Sequence, residues 1–99
     1  MAIEQDLLIK VKNSLRISHD LLDDDLTDTI AACLADLQVC GVQDPQQTDP
    51  LIMNAVKLFC KVAFTDDTGK AAAYQERYDA LKACLMMAEG YGREAVADE

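Results

Sequence analysis

The chain has 99 residues, with 18 acidic side chains against nine basic ones and a formal net charge of −9. This length suits one domain, and a 51% hydrophobic fraction is ordinary for a folded soluble domain. Because the bases are scattered one or two at a time, the sequence argues against a protein that grips nucleic-acid phosphates or an anionic membrane surface. The acidic N-terminus lacks the pattern of a signal peptide and no apolar run reaches the roughly 20 residues of a membrane span, so we expect a chain made and kept in a reducing cytoplasm.

The first two predicted helices cover residues 3–14 and about 24–40. Apolar residues recur in each at the three- and four-residue spacing of one buried helix face. In the first helix these are Ile3, Leu7, Leu8, Val11 and Leu15. In the second they are Leu26, Ile30, Cys33, Leu34 and Leu37. An aspartate among residues 23–25 is expected to cap the second helix by accepting hydrogen bonds from its first amides, and Gly41 follows its last turn.

A polar surface loop follows the second helix and is a candidate docking segment. It consists of Val42, Gln43, Asp44, Pro45, Gln46, Gln47 and Thr48. The third helix, residues 50–64, has a clear start, because Asp49 is a capping type and Pro50 fits the first helical position. It is nearly apolar all round, which is typical of a central helix. Its predicted core face is Ala55, Leu58, Phe59, Val62 and Ala63.

The fourth predicted helix covers about residues 70–89 and ends at the glycines at positions 90 and 92. Its apolar stripe is Tyr74, Tyr78, Leu81, Leu85 and Ala88. Residues 93–99 form an acidic tail that we expect to be flexible. Since no segment alternates with the two-residue period of a strand, the predicted fold is all-α: residues 1–92 form a single domain, a small four-helix bundle with roughly antiparallel helices.

The cysteines, the acid run and the histidine lack the spacing that a metal site or a catalytic site requires. Cys33, Cys40, Cys60 and Cys84 show no short paired spacing of a zinc site and are predicted to be buried free thiols. The acid run over residues 20–28 lacks the glycine and glutamate of an EF-hand loop and is interpreted as a solvated helix start. His19 has no oriented partner. We therefore expect no enzymatic activity, no catalytic residue, no metal and no cofactor.

Surplus apolar residues favour self-association. Three consecutive apolar residues at the start of the third helix cannot all face one core, and two methionines extend the apolar surface of the fourth. The tyrosines suit an interface or the core equally well. The candidate packing contacts, between or within subunits, are Leu51, Ile52, Met53, Tyr74, Tyr78, Met86 and Met87.

The order and spacing of several segments resemble the small head-tail connector (adaptor) proteins of tailed bacteriophages and prophages, over about residues 3 to 91. The resemblance is carried by residues 11–17 (VKNSLRI), 23–26 (DDDL), 30–32 (IAA), Gly41, 49–50 (DP), 55–61 (AVKLFCK), Phe64, 74–82 (YQERYDALK), Leu85 and Tyr91. It implies a structural subunit without enzymatic activity or an obligatory cofactor. It also implies a virion component that is made in the bacterial host cytoplasm and has no contact with membranes.

The partners that the resemblance implies are other copies of the chain and other virion proteins. About a dozen copies would form a ring beneath the portal protein and extend the DNA channel to a stopper or tail connector protein, and duplex DNA would pass without specific binding. Acids that line such a channel would repel phosphate. The alternative is an acidic helical adaptor that binds a protein, or a DNA-mimic-like regulator. Because the acids gather at helix starts, a phosphate-like array is disfavoured.

Overall fold

The computed structural model describes residues 3–88, which contain four α-helices. They are α1 (Gln5–Leu15), α2 (Asp23–Val39), α3 (Pro50–Phe64) and α4 (Thr68–Met87). No strand occurs in the described part of the chain, so the predicted all-α fold is confirmed. The radius of gyration is 14.0 Å, close to the value of about 13 Å expected for a compact domain of this length. The predicted stop at residues 90 and 92 and the tail at 93–99 lie outside the described residues.

Contacts between α1 and α3 show that these two helices run in the same direction. The backbone N–H of Glu4, just before α1, donates a 2.7 Å hydrogen bond to Oε1 of Gln47, just before α3. One to two turns further on, the Nζ of Lys10 lies 4.0 Å from the Sδ of Met53. The paired residue numbers rise together along both helices, so α1 and α3 begin at the same end of the bundle.

α2 and α4 also run in the same direction, opposite to α3. Cys33 on α2 contacts Tyr78 on α4. One turn further along both helices, Asp36 contacts Lys82. α3 and α4 run in opposite directions, because the connection between them is only residues 65–67 long. We call the end where α1 and α3 begin and α2 and α4 end the loop end, because residues 40–49 lie there. The other end, with residues 65–67, is the turn end.

The core runs between the helices, and α3 contacts each of the other three, as predicted for a central helix. The stripe predicted for α2 is confirmed, since all five of its side chains are buried. The core face predicted for α3 is confirmed at Ala55, which is buried, and in part at Leu58 and Phe59, which pack partly buried against the core. It is wrong at Ala63, which is exposed, and Val62 is only partly buried. The side chains of α3 that are buried are Ile52, Ala55, Val56 and Cys60. Because α3 is apolar nearly all round, its sequence period does not select the core face, and packing against three neighbours does.

The helix cap predicted for α3 is confirmed, and the one predicted for α2 is not. The carboxylate of Asp49 accepts a 2.9 Å hydrogen bond from the Leu51 N–H, so α3 begins at Pro50 as predicted. Asp67 caps α4, which therefore begins at Thr68. The cap predicted for α2 is wrong, because its N-cap is Leu22, which makes no side-chain cap bond, and residues 23–25 lie in the first turn. There their charges still complement the positive end of the helix dipole.

Candidate interaction surfaces

A polar cluster joins α2 to α4 across the bundle. The Tyr78 hydroxyl donates a 2.6 Å hydrogen bond to Oδ2 of Asp36, and the Lys82 ammonium donates to the same oxygen at 3.1 Å. The Tyr78 ring is buried and packs edge-to-face with the Phe59 ring at a centroid distance of 5.3 Å. The cluster holds the two helices together, because one carboxylate oxygen of Asp36 on α2 accepts hydrogen bonds from both α4 side chains.

Charge and burial oppose each other at the Asp36 carboxyl and act together on the Tyr78 hydroxyl. The Tyr78 hydroxyl, helped by the Lys82 ammonium, holds the pKa of the Asp36 carboxyl below its ordinary value of 3.8, against the effect of partial burial. Burial, and the bond to Asp36, raise the pKa of Tyr78. At neutral pH the carboxylate is therefore ionised and the phenol protonated, which is the pair of states that the hydrogen bond requires.

The cysteines are free thiols in two kinds of surroundings. Cys33 and Cys60 are buried, as predicted, and burial raises the pKa of each thiol to about 12. Cys40 is only partly buried, and Cys84 is exposed on α4, so the prediction of burial is wrong for these two. Within residues 3–88, no three side chains of the metal-ligating types come together. His19 is exposed, and its Nδ1 accepts a 3.2 Å hydrogen bond from the Leu21 N–H.

The seven predicted contact residues divide between the core and the surface. Ile52 and Tyr78 are 1% and 2% exposed, so both pack inside the chain. Met53 is partly buried in the groove between α1 and α3. Tyr74 is also partly buried, near the turn end, with the Lys61 ammonium 5.4 Å from its ring centroid. That these residues contact another subunit stays a prediction.

The other three predicted contact residues lie at the loop end, where large apolar side chains face solvent. We call the exposed group there the loop-end patch; its members are Val39 (86% exposed), Leu51 (42%), Met86 (37%) and Met87 (68%). The sequence reasoning missed Val39, although its position off the core stripe of α2 was a usable signal. The patch gathers at one end because α2 and α4 finish where α3 begins.

The predicted docking loop, residues 42–48, borders this patch. It is anchored by Val42, which is buried and whose N–H donates a 2.8 Å hydrogen bond to the Leu37 carbonyl. Pro45 is also buried, whereas Gln43, Asp44, Gln46 and Thr48 are exposed. Two anchors therefore present a polar loop beside an apolar patch, which is a common composition for a protein contact surface.

A family model described as "Phage connector protein" matches residues 7–92, which include nearly all of the four helices and both ends of the bundle. The chain belongs to the phage connector protein family. The resemblance stated from the sequence is thereby confirmed, and the chain has a structural connector role in a phage particle. No curated protein and no solved structure matches it.

A connector works through its surfaces, which makes the exposed ends and grooves of this connector its candidate functional sites. Its task involves contacts with other head and tail proteins of the particle. In the described range, no helix has the length and apolar content needed to cross a bilayer. The loop-end patch, the docking loop and the charged surfaces of α1, α2 and α3 are candidate regions for such contacts.

Proposed function

We propose that this connector assembles as a closed ring of about a dozen copies beneath the portal protein and extends the DNA channel toward a stopper or tail connector protein. The observation that carries the proposal is the loop-end patch, four large apolar side chains exposed to solvent at one end of the bundle. Exposed apolar surface of this kind marks a protein contact. The family assignment makes other virion proteins the partners, and the copy number follows the resemblance to head-tail connectors.

Two unlike ends support a place between two different partners. The loop end carries the apolar patch and the polar docking loop, whereas the turn end carries the connections from α1 to α2 and from α3 to α4. A subunit in a stacked assembly needs one surface for the ring above and another for the ring below, besides its contacts to neighbouring copies. Its net charge of −9 suits a channel wall, because carboxylates facing the channel would repel DNA phosphates and let the duplex slide.

The experiment is electron microscopy of the concentrated protein, alone and with the portal protein, with mass measurement at low and high concentration. We expect rings with a channel of about 20 Å or more, wide enough for duplex DNA. Monomers that persist in both conditions overturn the ring. Monomers that instead capture a basic host protein favour the acidic adaptor. Rings whose acids face outward would support the connector function but contradict the proposal that acids line the channel.

Two substitutions of equally exposed residues test the loop end. Val39 belongs to the loop-end patch and Leu21 lies near the turn end, and each is 86% exposed. Val39→Glu should weaken binding to the portal or stopper protein by about tenfold or more, because it places a charge in an apolar contact. Leu21→Glu, the matched control at the opposite end, should leave the affinity for that same partner within about twofold. Equal losses for both variants would remove the loop end as the docking surface.

A further inference from the structure

The bases that are scattered along the sequence come together in the fold. Of the eight lysines and arginines among residues 3–88, five line two adjoining grooves on the α1–α3 side of the bundle. We call these five the basic strip: Lys10, Arg16, Lys57, Lys61 and Lys70. The strip lies on a chain with twice as many acids as bases.

The two grooves form one surface. The first, of about 630 Å³, lies between α1 and the first half of α3 and contains Lys10 and Lys57. The second, of about 680 Å³, lies where α1 and α3 end and α4 begins, and contains the other three bases. Ser14 lines both grooves, which joins them. Among the described residues that line them, Asp66 is the one carboxylate.

Among residues 3–88, the cations of the strip have no carboxylate partner. In the described region, the ion pairs are made by Lys12 and Lys82, and no carboxylate oxygen lies within 4.0 Å of a strip cation. Lys10 instead contacts the sulfur of Met53, and Lys61 lies over the Tyr74 ring. Five positive charges that line two adjoining grooves, without a carboxylate partner in the described region, form a surface that favours an acidic partner.

Arg16 adds an observation from the backbone. It ends α1 with a φ of 60°, the left-handed conformation, and its N–H bonds to the Asn13 carbonyl. Glycine is the preferred residue at such a helix end. The backbone conformation therefore gives no reason for an arginine at position 16. An acidic partner bound at the second groove would give one, because the Arg16 guanidinium lies at its edge.

We infer that the basic strip of one copy binds the acidic start of α2 of the neighbouring copy, an inference that rests on the proposed ring. The acidic side chains in question are Asp24, Asp25 and Asp28, all exposed. They are the chain's own densest supply of carboxylates without ion pairs in the described range. The partner is thus a second copy of this chain, selected by charge complementarity.

The first groove and the start of α2 lie on different sides of α1, so one copy has separate places for the two halves of a head-to-tail contact. Lys10 faces the first groove. Lys12, two residues later and so about 200° around the helix, instead pairs with Asp20 and Asp23 at 2.8 Å. Each copy can therefore offer its strip to one neighbour and its acidic α2 start to the other. Repetition of one such contact closes a ring or continues as a filament.

Reciprocal charge reversal tests this contact. Variant one carries Lys57→Glu and Lys61→Glu; variant two carries Asp24→Lys and Asp28→Lys; Arg77→Glu, an exposed base outside the strip, is the matched control. By mass measurement across concentration, each double variant should need at least about tenfold more protein to assemble than wild type. An equimolar mixture should recover assembly, because reversed strip then meets reversed acid, and unaltered strip meets unaltered acid.

Circular dichroism of every variant checks that the helices are retained, and Arg16→Gly provides a strip variant that suits the backbone at that helix end. We expect Arg16→Gly to fold normally and to assemble at least about threefold less readily. Wild-type rings with unaffected double variants would overturn the strip contact and leave the proposed ring intact. A wild-type chain that never assembles would reject the ring itself. Variants that form rings normally but lose affinity for duplex DNA would assign the strip to phosphate binding and overturn the inference.

Discussion

The Tyr78 hydroxyl donates a 2.6 Å hydrogen bond to Oδ2 of Asp36 and thereby ties α4 to α2. The same oxygen accepts from Lys82, whose ammonium lies 5.1 Å from the centroid of the Tyr78 ring. These two helices both end at the loop end, so the bond helps to set how the last turns of α2 and α4 stand beside each other. The loop-end patch depends on that placement.

Tyr78→Phe should lower the free energy of unfolding by about 1–2 kcal/mol, because it removes a hydrogen bond to a charged group while the ring still packs against Phe59. Urea unfolding followed by circular dichroism measures the change. The matched control is Tyr74→Phe, since the Tyr74 hydroxyl has no hydrogen-bond partner among the described residues; it should change stability by less than about 0.5 kcal/mol. Equal effects would reject the Asp36 bond as a stabilising contact.

Asp36 should make the free energy of unfolding fall as the pH is lowered into the acidic range. Because the hydrogen bond from Tyr78 lowers the pKa of Asp36 in the folded chain, its contribution is fully present above the ordinary value of 3.8 and is lost as pH falls through the lower folded pKa. Urea midpoints measured from neutral pH to about pH 2 should therefore fall less steeply for Asp36→Asn than for wild type. Tyr78→Phe should also flatten the curve. An unchanged slope in Asp36→Asn would contradict this assignment.

Two neighbouring residues separate folding from surface contact. Ile52→Ala should cost about 2–5 kcal/mol of unfolding free energy, because Ile52 is 1% exposed and its truncation leaves a cavity. Leu51→Ala removes a similar volume at a 42% exposed position, so its cost should stay below about 1 kcal/mol. Thermal or urea unfolding of both variants measures the difference. If Leu51→Ala is the more costly, Leu51 packs within the fold more than it faces a partner.

Thiol labelling should distinguish the four cysteines. Cys84 is exposed and should react with a thiol reagent at least about 100-fold faster than Cys33 and Cys60, which are buried, have pKa values raised to about 12 and need local opening to react. Cys40, partly buried, should react at an intermediate rate. Mass spectrometry over time counts the labels. Cys84→Ser should abolish the fastest phase, and a fast phase that persists in this variant would place a second thiol in solvent.

Much of the fold follows from local sequence signals. The stripe of α2 is separated by polar residues and therefore identifies its core face, and a capping aspartate followed by proline places the start of α3 at Pro50. The core face of α3 does not follow, because nearly every position is apolar and three neighbours compete for it. At the start of α2, three consecutive aspartates offer equivalent caps, and the helix begins one residue earlier, after Leu22.

The candidate surfaces were harder to predict, because they depend on which helix ends meet. Leu51, Met86 and Met87 were recognisable one by one as surplus apolar residues. Their gathering with Val39 follows only from the shared direction of α2 and α4. The basic strip is the clearest case, since Lys10 and Lys57 are 47 positions apart in sequence and line the same groove.

An even number of helices that alternate in direction returns the chain to the end from which it started. Gln5 and Met87, where the helical body begins and finishes, both belong to the loop end. Labels attached near Gln5 and near Met87 would therefore mark the same end, and comparing them would not distinguish the two ends of the bundle. A short insertion in the connection at residues 65–67 would mark the opposite end instead and give microscopy an orientation marker.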